Sequence, residues 1–377
     1  MNDFVIKEIL NADLINEIRA IGFDKNYAPF VIDKYDYKNL KIYNLTVPQA
    51  NILKQTALSV GADCATHREV ITGKVDHSDC ILGGSVSALK KIAAKLEGQP
   101  FGLKFLKDAI LKQLEPMPPV QTKLVGIINL TQNSSSDGGL YWDFESAKEK
   151  FLSLIADGAD IIDIGAESTK PFSQPVSAKN QLEKLMPILD FAKSHATKIS
   201  IDTRSADVAE EVLRNGNYII NDVSGLDYDE NMAGVIAKYN APVILQHSKG
   251  TPETMQVSPQ YENLMDEIFF SLREKIIKAR TSGIENIIID PGIGFGKTAA
   301  HNVEIIKRIG ELKSLGCPIM LGASRKSFLG VEGNDNDLKD SLTLAYNALA
   351  IQAGVDYLRV HNVRLHKKFL ESAYTRG

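Results

Sequence analysis

Eight short apolar runs, nearly all ending at or beside a polar side chain, constrain the fold of this chain more than any other feature. They are rich in Ile, Val and Leu without alternation, which is typical of parallel strands buried on both faces. The runs cover residues 125–129, 161–165, 199–202, 218–222, 243–247, 287–290, 319–324 and 357–361. Segments with helical periodicity lie between them, at 146–157, 181–194, 207–215, 261–280, 303–315 and 341–353.

Eight alternations of strand and helix over roughly 250 residues match the size of a (β/α)8 barrel, so the sequence predicts an α/β fold of the TIM-barrel type. In such a barrel the carboxyl ends of the strands converge on one mouth, where ligands bind. The polar groups expected at this mouth are Asn129, Asp163, Asp202, Asn221, His247, Asp290, Lys326, Arg359 and His361.

Three acceptor groups in this set, Asp202, Asn221 and Asp290, suit a ligand edge that presents several N–H donors in a row. A carboxylate accepts two hydrogen bonds side by side, and an amide both donates and accepts. A metal cluster is the competing interpretation. It is weakened because no His-rich pair accompanies these residues in the sequence and because Asn is a poor ligand for transition metals.

The segment 287–298 joins a strand, Asp290, three glycines and the start of a helix capped by Thr298 or Asn302. Its Gly-Lys-Thr ending invites comparison with the phosphate-binding loop of nucleotide enzymes. That motif needs glycine where this chain has Pro291, so the nucleotide interpretation is disfavoured. Close approach of the backbone to a ligand at the barrel mouth explains the glycines better.

The last two strand ends are basic. Arg325 and Lys326 follow the seventh run, while Arg359 and His361 alternate with an apolar residue in the eighth and therefore face the same side. Barrels often bind phosphate near these two strands. An unpaired cation in the mouth would be costly, so we expect an anion partner.

Composition sets broader limits. A formal net charge of −4 argues against a nucleic-acid protein held by general electrostatics. No run of 18 apolar residues is present and the first residues lack a basic and then apolar leader, so we expect a cytoplasmic protein without membrane segments. Three widely spaced cysteines predict buried free thiols rather than disulfides or a metal site.

The first 118 residues do not follow the barrel pattern and predict a small α/β domain of unknown role. Apolar residues at 6, 9, 10, 14, 15 and 18 fit one helix face, and 49–60 and 85–96 predict two further helices. Short strands are expected at 41–45 and 80–82. The proline-rich stretch 115–119 marks the boundary with the barrel, residues 119–377.

Seven blocks carry a resemblance to a known family. They read, in chain order, N-L-T followed by S-D-G-G, D-I-G-A-E-S-T-K-P, I-S-I-D-T, I-I-N-D-V, D-P-G-I-G-F-G-K, S-R-K-S-F-L-G and R-V-H. In this order they resemble dihydropteroate synthases, pterin-binding barrel enzymes of folate biosynthesis, over about residues 124–370. The N-terminal extension resembles those that only some members carry.

The resemblance implies a reaction, in which 6-hydroxymethyl-7,8-dihydropterin diphosphate and p-aminobenzoate give 7,8-dihydropteroate and diphosphate. It implies that the pterin is held by Asp202, Asn221, Asp290 and Lys326. It implies that the diphosphate is held by Asn129, Thr169, Arg359 and His361, with Asn129 also touching Mg²⁺. Ser327 and Lys170 would lie toward p-aminobenzoate, Lys326, Arg359 and His361 would carry catalysis, and a homodimer is expected.

Two loops depart from the family pattern. Gln132, Asn133 and Ser135 replace Pro, Asp and Phe in the first, while Lys170 and Phe172 replace Arg and Gly in the second. A pterin-binding protein that has lost catalysis is therefore one alternative. A methyltetrahydrofolate-dependent methyltransferase on the same barrel is another, although it has no use for a diphosphate clamp.

Overall fold

A computed structural model describes residues 4–9, 14–131, 143–168, 173, 175–250, 255 and 258–374 of the 377-residue chain. The chain divides into two compact units, Met1–Pro118 and Pro119–Gly377. The predictions for Thr169, Lys170, Gln132, Asn133, Ser135 and Phe172 lie outside the described residues.

The first unit packs helices on a three-stranded antiparallel sheet of order β1-β3-β2. Its strands are β1 (Tyr37–Thr46), β2 (Asp63–Thr66) and β3 (His77–Ser85). Its helices are α1 (Leu14–Ala20), α2 (Ala28–Val31), α3 (Val47–Leu58), α4 (Val86–Leu96) and α5 (Leu103–Leu114).

Most sequence predictions for this unit are confirmed. The helices expected at 49–60 and 85–96 are α3 and α4, and the two expected strands lie within β1 and β3. The first helix was predicted too long. Ile6 and Ile9 lie outside α1 in an irregular, exposed segment, so they do not join the helix face of Leu14 and Ile18.

The second unit is an eight-stranded parallel barrel of order β10-β11-β4-β5-β6-β7-β8-β9. A parallel bridge between Ile289 and Ile319 links the two ends of this order. The strands are β4 (Lys123–Asn129), β5 (Ile161–Gly165), β6 (Lys198–Asp202), β7 (Ile219–Asp222), β8 (Val243–Gln246), β9 (Ile287–Asp290), β10 (Met320–Leu321) and β11 (Tyr357–Val360). The predicted (β/α)8 TIM barrel is confirmed.

Helices follow the strands and cover the barrel. They are α6 (Phe144–Ala156), α7 (Ala178–Ala192), α8 (Ala206–Asn215), α9 (Met232–Lys238), α10 (Leu264–Thr281), α11 (Ala299–Arg308), α12 (Asn336–Gln352) and α13 (Val363–Tyr374). Side-chain caps fix several starts, since Thr298 accepts from the backbone N–H of His301 at α11 and Asp335 from that of Leu338 at α12. Thr298, not Asn302, is thus the cap.

Two apolar layers position the mouth. The larger lies between the strands and the surrounding helices. A separate cluster of Val125, Ile161, Ile244, Ile288 and Met320 fills the barrel interior, with Ile219 and Tyr357 packed against it. Residues two positions further along each strand face the same interior. The inner cluster is therefore a closed floor, and polar side chains lie above it.

None of the described helices combines the length and the apolar composition needed to cross a bilayer.

Candidate active site

Strand register brings the predicted acceptor groups together. Asn129, Gly165, Asp202 and Asn221 are successive cross-strand partners on β4 to β7. On the other side of the barrel, Asp290 at the end of β9 pairs with Gln246 on β8. Residues of the inner apolar cluster lie two positions earlier on several of these strands. Side chains two positions apart on a strand face the same way, so these strand-end side chains also face the barrel interior. Glycine at position 165 keeps the space beside Asp202 open, since a Cβ there would lie 3.1 Å from the Cβ of Asp202.

Arg359 is the charged link across the mouth. Its Nε donates to Oδ2 of Asp163 at 2.7 Å, and its Nη2 donates to Oδ2 of Asp202 at 3.1 Å. The Asp163 side chain is fully buried, while those of Arg359 and Asp202 are 18% and 12% exposed. The anion partner expected for Arg359 is therefore supplied by two carboxylates of the chain itself.

Asp202 has an environment that makes its charge adjustable. Burial raises the pKa of its carboxyl group to about 7, while the positive charge of Arg359 opposes that shift and the negative charge of Asp163 adds to it. At neutral pH Asp202 is consequently poised between its two forms. Because Arg359 lowers the pKa of Asp202, moving Arg359 away from Oδ2 would raise that pKa further unless another donor took its place.

Asn221 presents an acceptor to the interior. Its Nδ2 donates to both carboxylate oxygens of Asp163, at 3.3 and 3.2 Å. Its Oδ1 is buried and has no hydrogen-bond partner among the residues that the structure describes. Since an unsatisfied buried acceptor costs free energy, this oxygen is suited to an N–H donor from a ligand. Asp163 thus orients Arg359 and Asn221 together.

Asp290 is fixed by the glycine segment that follows it. The backbone N–H of Gly292 donates to its Oδ1 at 2.7 Å, and burial raises the pKa of its carboxyl group. Gly292 has a φ of +68°, and a Cβ there would lie only 1.9 Å from the carbonyl oxygen of His247. Glycine is required here because both the backbone conformation and the close approach exclude a side chain.

Lys326 lies over the same segment. Its Nζ donates to the carbonyl oxygen of Ile293 and lies 4.6 Å from the centre of the Phe295 ring. Burial lowers the pKa of Lys326 to about 8, against the attraction of Asp290. The ammonium group is therefore mostly charged at pH 7, and a moderate rise in pH removes its proton.

His361 closes the basic side of the mouth. Its backbone N–H donates to Oγ of Ser324 at 3.2 Å, and its Nδ1 lies 3.0 Å from the same hydroxyl oxygen. Ser327 is exposed at the start of a short 3-10 helix that follows Lys326. Asn129 is half-buried at the end of β4.

Two residues expected at the mouth form contacts that the sequence did not predict. Arg325 was grouped with Lys326 as a phosphate-side cation, but its guanidinium forms a bidentate pair with Asp340, at 2.7 and 2.9 Å. His247 was expected at the mouth, but its Nδ1 lies 2.8 Å from Nζ of buried Lys297. Gln246, two positions beyond the floor residue of its strand, takes the interior position instead.

No cluster of three or more His, Cys, Asp or Glu side chains able to hold a metal ion occurs in the described part of the chain.

The fold and these side chains define a (β/α)8-barrel protein with acceptor groups and basic groups converging at one mouth. The sequence of residues 125–361 matches the family described as pterin binding enzyme. The chain belongs to this family.

Curated relatives differ in how much of this chain they match. A probable bifunctional folylpolyglutamate synthase/dihydropteroate synthase of Halobacterium salinarum is 35% identical over 84% of this chain, which spans only 40% of that relative's length. A bifunctional dihydropteroate synthase/dihydropteroate reductase of Helicobacter pylori is 33% identical over 96% of both chains. Similarity therefore extends into the first unit.

Solved structures resemble the barrel. The dihydropteroate synthase of Yersinia pestis, in a sulfonamide drug complex, is 30% identical with a TM-score of 0.64, covering 69% of this chain and 97% of its own. That of Thermus thermophilus, in complex with 6HMPPP, is 33% identical with a TM-score of 0.58, covering 68% and 94%.

Proposed function

We propose that this chain is a dihydropteroate synthase, a transferase of folate biosynthesis. It joins 6-hydroxymethyl-7,8-dihydropterin diphosphate to p-aminobenzoate and releases diphosphate. The observation that carries the proposal is the convergence of Asp202, Asn221 and Asp290 with Lys326 and Arg359 at one barrel mouth. The relatives named as dihydropteroate synthases support it.

The acceptor side would hold the pterin. An aminopyrimidinone ring presents adjacent N–H donors along one edge, and the Asp202 carboxylate and the free Oδ1 of Asn221 are neighbouring acceptors on paired strands. Asp290 would take donors of the same ring, while the Lys326 ammonium would donate to the ring carbonyl and N5.

The basic side would hold the diphosphate. Arg359 offers a planar fork for phosphoryl oxygens, and His361 lies two residues further on the same face. Because Arg359 already contacts Asp202, substrate binding would exchange partners, with the pterin N–H groups taking Asp202 and the diphosphate taking Nη2 of Arg359. Asp163 would keep Nε of Arg359 in place during this exchange. Thr169 and Asn129 are further proposed contacts to the diphosphate.

Chemistry at this site needs no general base before attack. The C–O bond to diphosphate breaks first and leaves a positive charge on the pterin methylene. The amine nitrogen of p-aminobenzoate, which is neutral at pH 7, then attacks this carbon with its lone pair, and the amine proton leaves afterwards. Arg359 and His361 stabilise the negative charge that develops on the departing diphosphate. Asp202 and Asp290 stabilise the positive charge on the pterin. Ser327 and Lys170 are proposed to lie toward p-aminobenzoate.

We propose Mg²⁺ as an ion bound jointly with the substrate. Such an ion usually takes one or two protein carboxylates together with substrate phosphates and water. Here the amide oxygen of half-buried Asn129, a hard ligand at the strand end, would take the protein position. When bound, the ion would offset charge on the leaving diphosphate.

Product analysis tests the proposal. Purified protein is incubated with the pterin diphosphate and p-aminobenzoate, with and without Mg²⁺, and pteroate and diphosphate are quantified. We expect 7,8-dihydropteroate and diphosphate in equal amounts. Pterin binding in calorimetry without diphosphate release would instead favour a binding protein. Methyl transfer from methyltetrahydrofolate would favour the methyltransferase.

We also propose a second activity, reduction of the dihydropteroate product. The Helicobacter pylori relative is named for both activities and is similar over 96% of this chain, including the first unit. Reduction would add a hydride to the C6 carbon of the C6–N5 double bond and a proton to N5. Reduced nicotinamides and flavins are the hydride donors to test.

The assay for the second activity supplies 7,8-dihydropteroate with each donor class and follows tetrahydropteroate. A control with no protein measures reduction in solution. Formation of tetrahydropteroate only with protein and donor supports the activity, and equal rates with and without protein contradict it.

The homodimer expected by resemblance is proposed here as well. Light scattering of the purified chain would give twice the 41.4 kDa mass of one chain if the proposal holds.

A further inference from the structure

One face of α12 holds the segment that carries Lys326. Asp340 is buried, and its two oxygens accept Nε and Nη2 of Arg325 at 2.7 and 2.9 Å. One turn along the helix, Oγ1 of Thr343 accepts the backbone N–H of Arg325 at 3.2 Å. A further turn along, the ring of Tyr346 packs edge-on against Phe328, with 5.3 Å between ring centres. The helix therefore fixes both ends of residues 325–328.

The backbone of Arg325 needs this support. Its φ is +55°, in the left-handed region that residues with a Cβ rarely adopt. Such a conformation persists only where the surroundings impose it. The bidentate pair and the Thr343 contact impose it, and they direct the next side chain, Lys326, toward Ile293 and Phe295.

The same carboxylate holds the segment that carries His361. Nδ2 of Asn362 donates to Oδ2 of Asp340 at 3.0 Å. The carbonyl oxygen of Asn362 accepts Nδ1–H of His366 at 2.9 Å, and Nε2 of His366 in turn lies 3.0 Å from Nδ2 of Asn347 on α12. Burial lowers the pKa of His366, which favours the neutral ring that this pattern needs.

We propose that Asp340 is a positioning residue that sets the spacing between Lys326 and His361, and so between the pterin and diphosphate ends of the site. The inference rests on the proposed synthase function. Asp340 contributes no atom to the mouth and acts through Arg325 on one side and Asn362 on the other. Arg325 accordingly serves as the structural partner of Asp340 rather than as a phosphate ligand.

Charge loss at this position separates positioning from general stability. Asp340→Asn keeps the shape of the side chain but removes the negative charge that position 340 presents to the Arg325 guanidinium. Since a displacement of about 1 Å can cost about 10²-fold in rate, we expect kcat/KM for the pterin diphosphate to fall by about 10- to 100-fold. The KM for the pterin diphosphate should rise, measured at a temperature well below the Tm of the variant.

A charge swap provides the rescue. Arg325→Asp with Asp340→Arg rebuilds the pair with reversed polarity, and Asp tolerates the left-handed conformation better than most residues. The swap rebuilds only the Arg325 side, because arginine at position 340 cannot accept from Nδ2 of Asn362. We therefore expect a partial recovery, with kcat/KM about three- to tenfold above that of Asp340→Asn and a lower KM. If Arg325 bound the diphosphate directly, the swap would restore Tm but leave the KM at the Asp340→Asn value, and the proposal would be overturned.

Asp337→Asn is the matched control. Asp337 lies three residues earlier on α12 and is exposed, so kcat/KM should change by less than about twofold. Wild-type protein that forms no dihydropteroate would refute the synthase function itself. An active wild type with an Asp340→Asn variant that loses Tm but keeps the wild-type KM would refute only the positioning role.

Discussion

Titration of Lys326 provides a quantitative test of the pterin site. Its pKa of about 8, lowered by burial, leaves the side chain about 90% charged at pH 7 and about 10% charged at pH 9. If only the ammonium form donates to the pterin, the contribution of Lys326 to affinity is nearly complete at pH 7, halved at pH 8 and largely lost at pH 9. Lys326 alone then weakens binding about tenfold between pH 7 and pH 9, or about 1.4 kcal/mol.

Isothermal titration with 6-hydroxymethyl-7,8-dihydropterin is the suitable assay, because this ligand carries no phosphate that would titrate. Lys326→Arg is the control, since a guanidinium stays charged throughout the range. We expect the dissociation constant of the wild type to rise about tenfold more than that of Lys326→Arg. Equal changes in the two proteins would show that the charge of Lys326 does not contribute to pterin binding.

Three further predictions concern neighbouring groups. Because the pKa of Asp202 is about 7, its carboxylate is protonated and stops accepting as the pH falls, so pterin affinity should weaken about tenfold from pH 8 to pH 6. In calorimetric titrations with the pterin, the Asp202→Asn variant should not show that change. Asp163→Asn should lower kcat/KM for the pterin diphosphate by about 10- to 100-fold in steady-state assays and cost about 2–3 kcal/mol in urea unfolding, because it removes one of two carboxylates on Arg359. Gly292→Ala should cost more than 3 kcal/mol in the same unfolding assay. Gly330→Ala, with a similar φ of +72° but open space around it, should cost about 1 kcal/mol. Equal costs would contradict the clash at Gly292.

The barrel could be predicted because strand–helix repetition is a local signal. Buried parallel strands are continuous apolar runs, and each of the eight runs overlaps an observed strand. The helix α9 was not predicted because its seven residues are too few to show a periodic pattern. The predicted segment 303–315 splits into α11 and a 3-10 helix at Ile309–Leu315, a distinction that apolar spacing does not encode.

Within the site, the residues at the strand ends could be predicted, but the ion pairs and hydrogen bonds between them could not. Asp202 and Asn221 follow from the rule that parallel strands share a mouth, and register makes them neighbours. The contact of Arg359 with Asp163 joins residues 196 positions apart, so no local pattern reveals it.

Which side chain of the fifth barrel strand, β8, points into the barrel could not be predicted for a related reason. A run that is apolar throughout gives no alternation from which to choose between Gln246 and His247. The pairing of Arg325 could not be predicted because its partner, Asp340, lies on a helix outside the row of strand ends.

A crystal structure with the bound pterin diphosphate would show which side chains hold each end of the substrate. We expect the pterin ring on Asp202, Asn221 and Asp290, with Nη2 of Arg359 moved from Asp202 to the diphosphate while Nε stays on Asp163. A pterin diphosphate bound elsewhere, or bound in the mouth with Arg359 still on Asp202 and the diphosphate away from it, would contradict this assignment of the site.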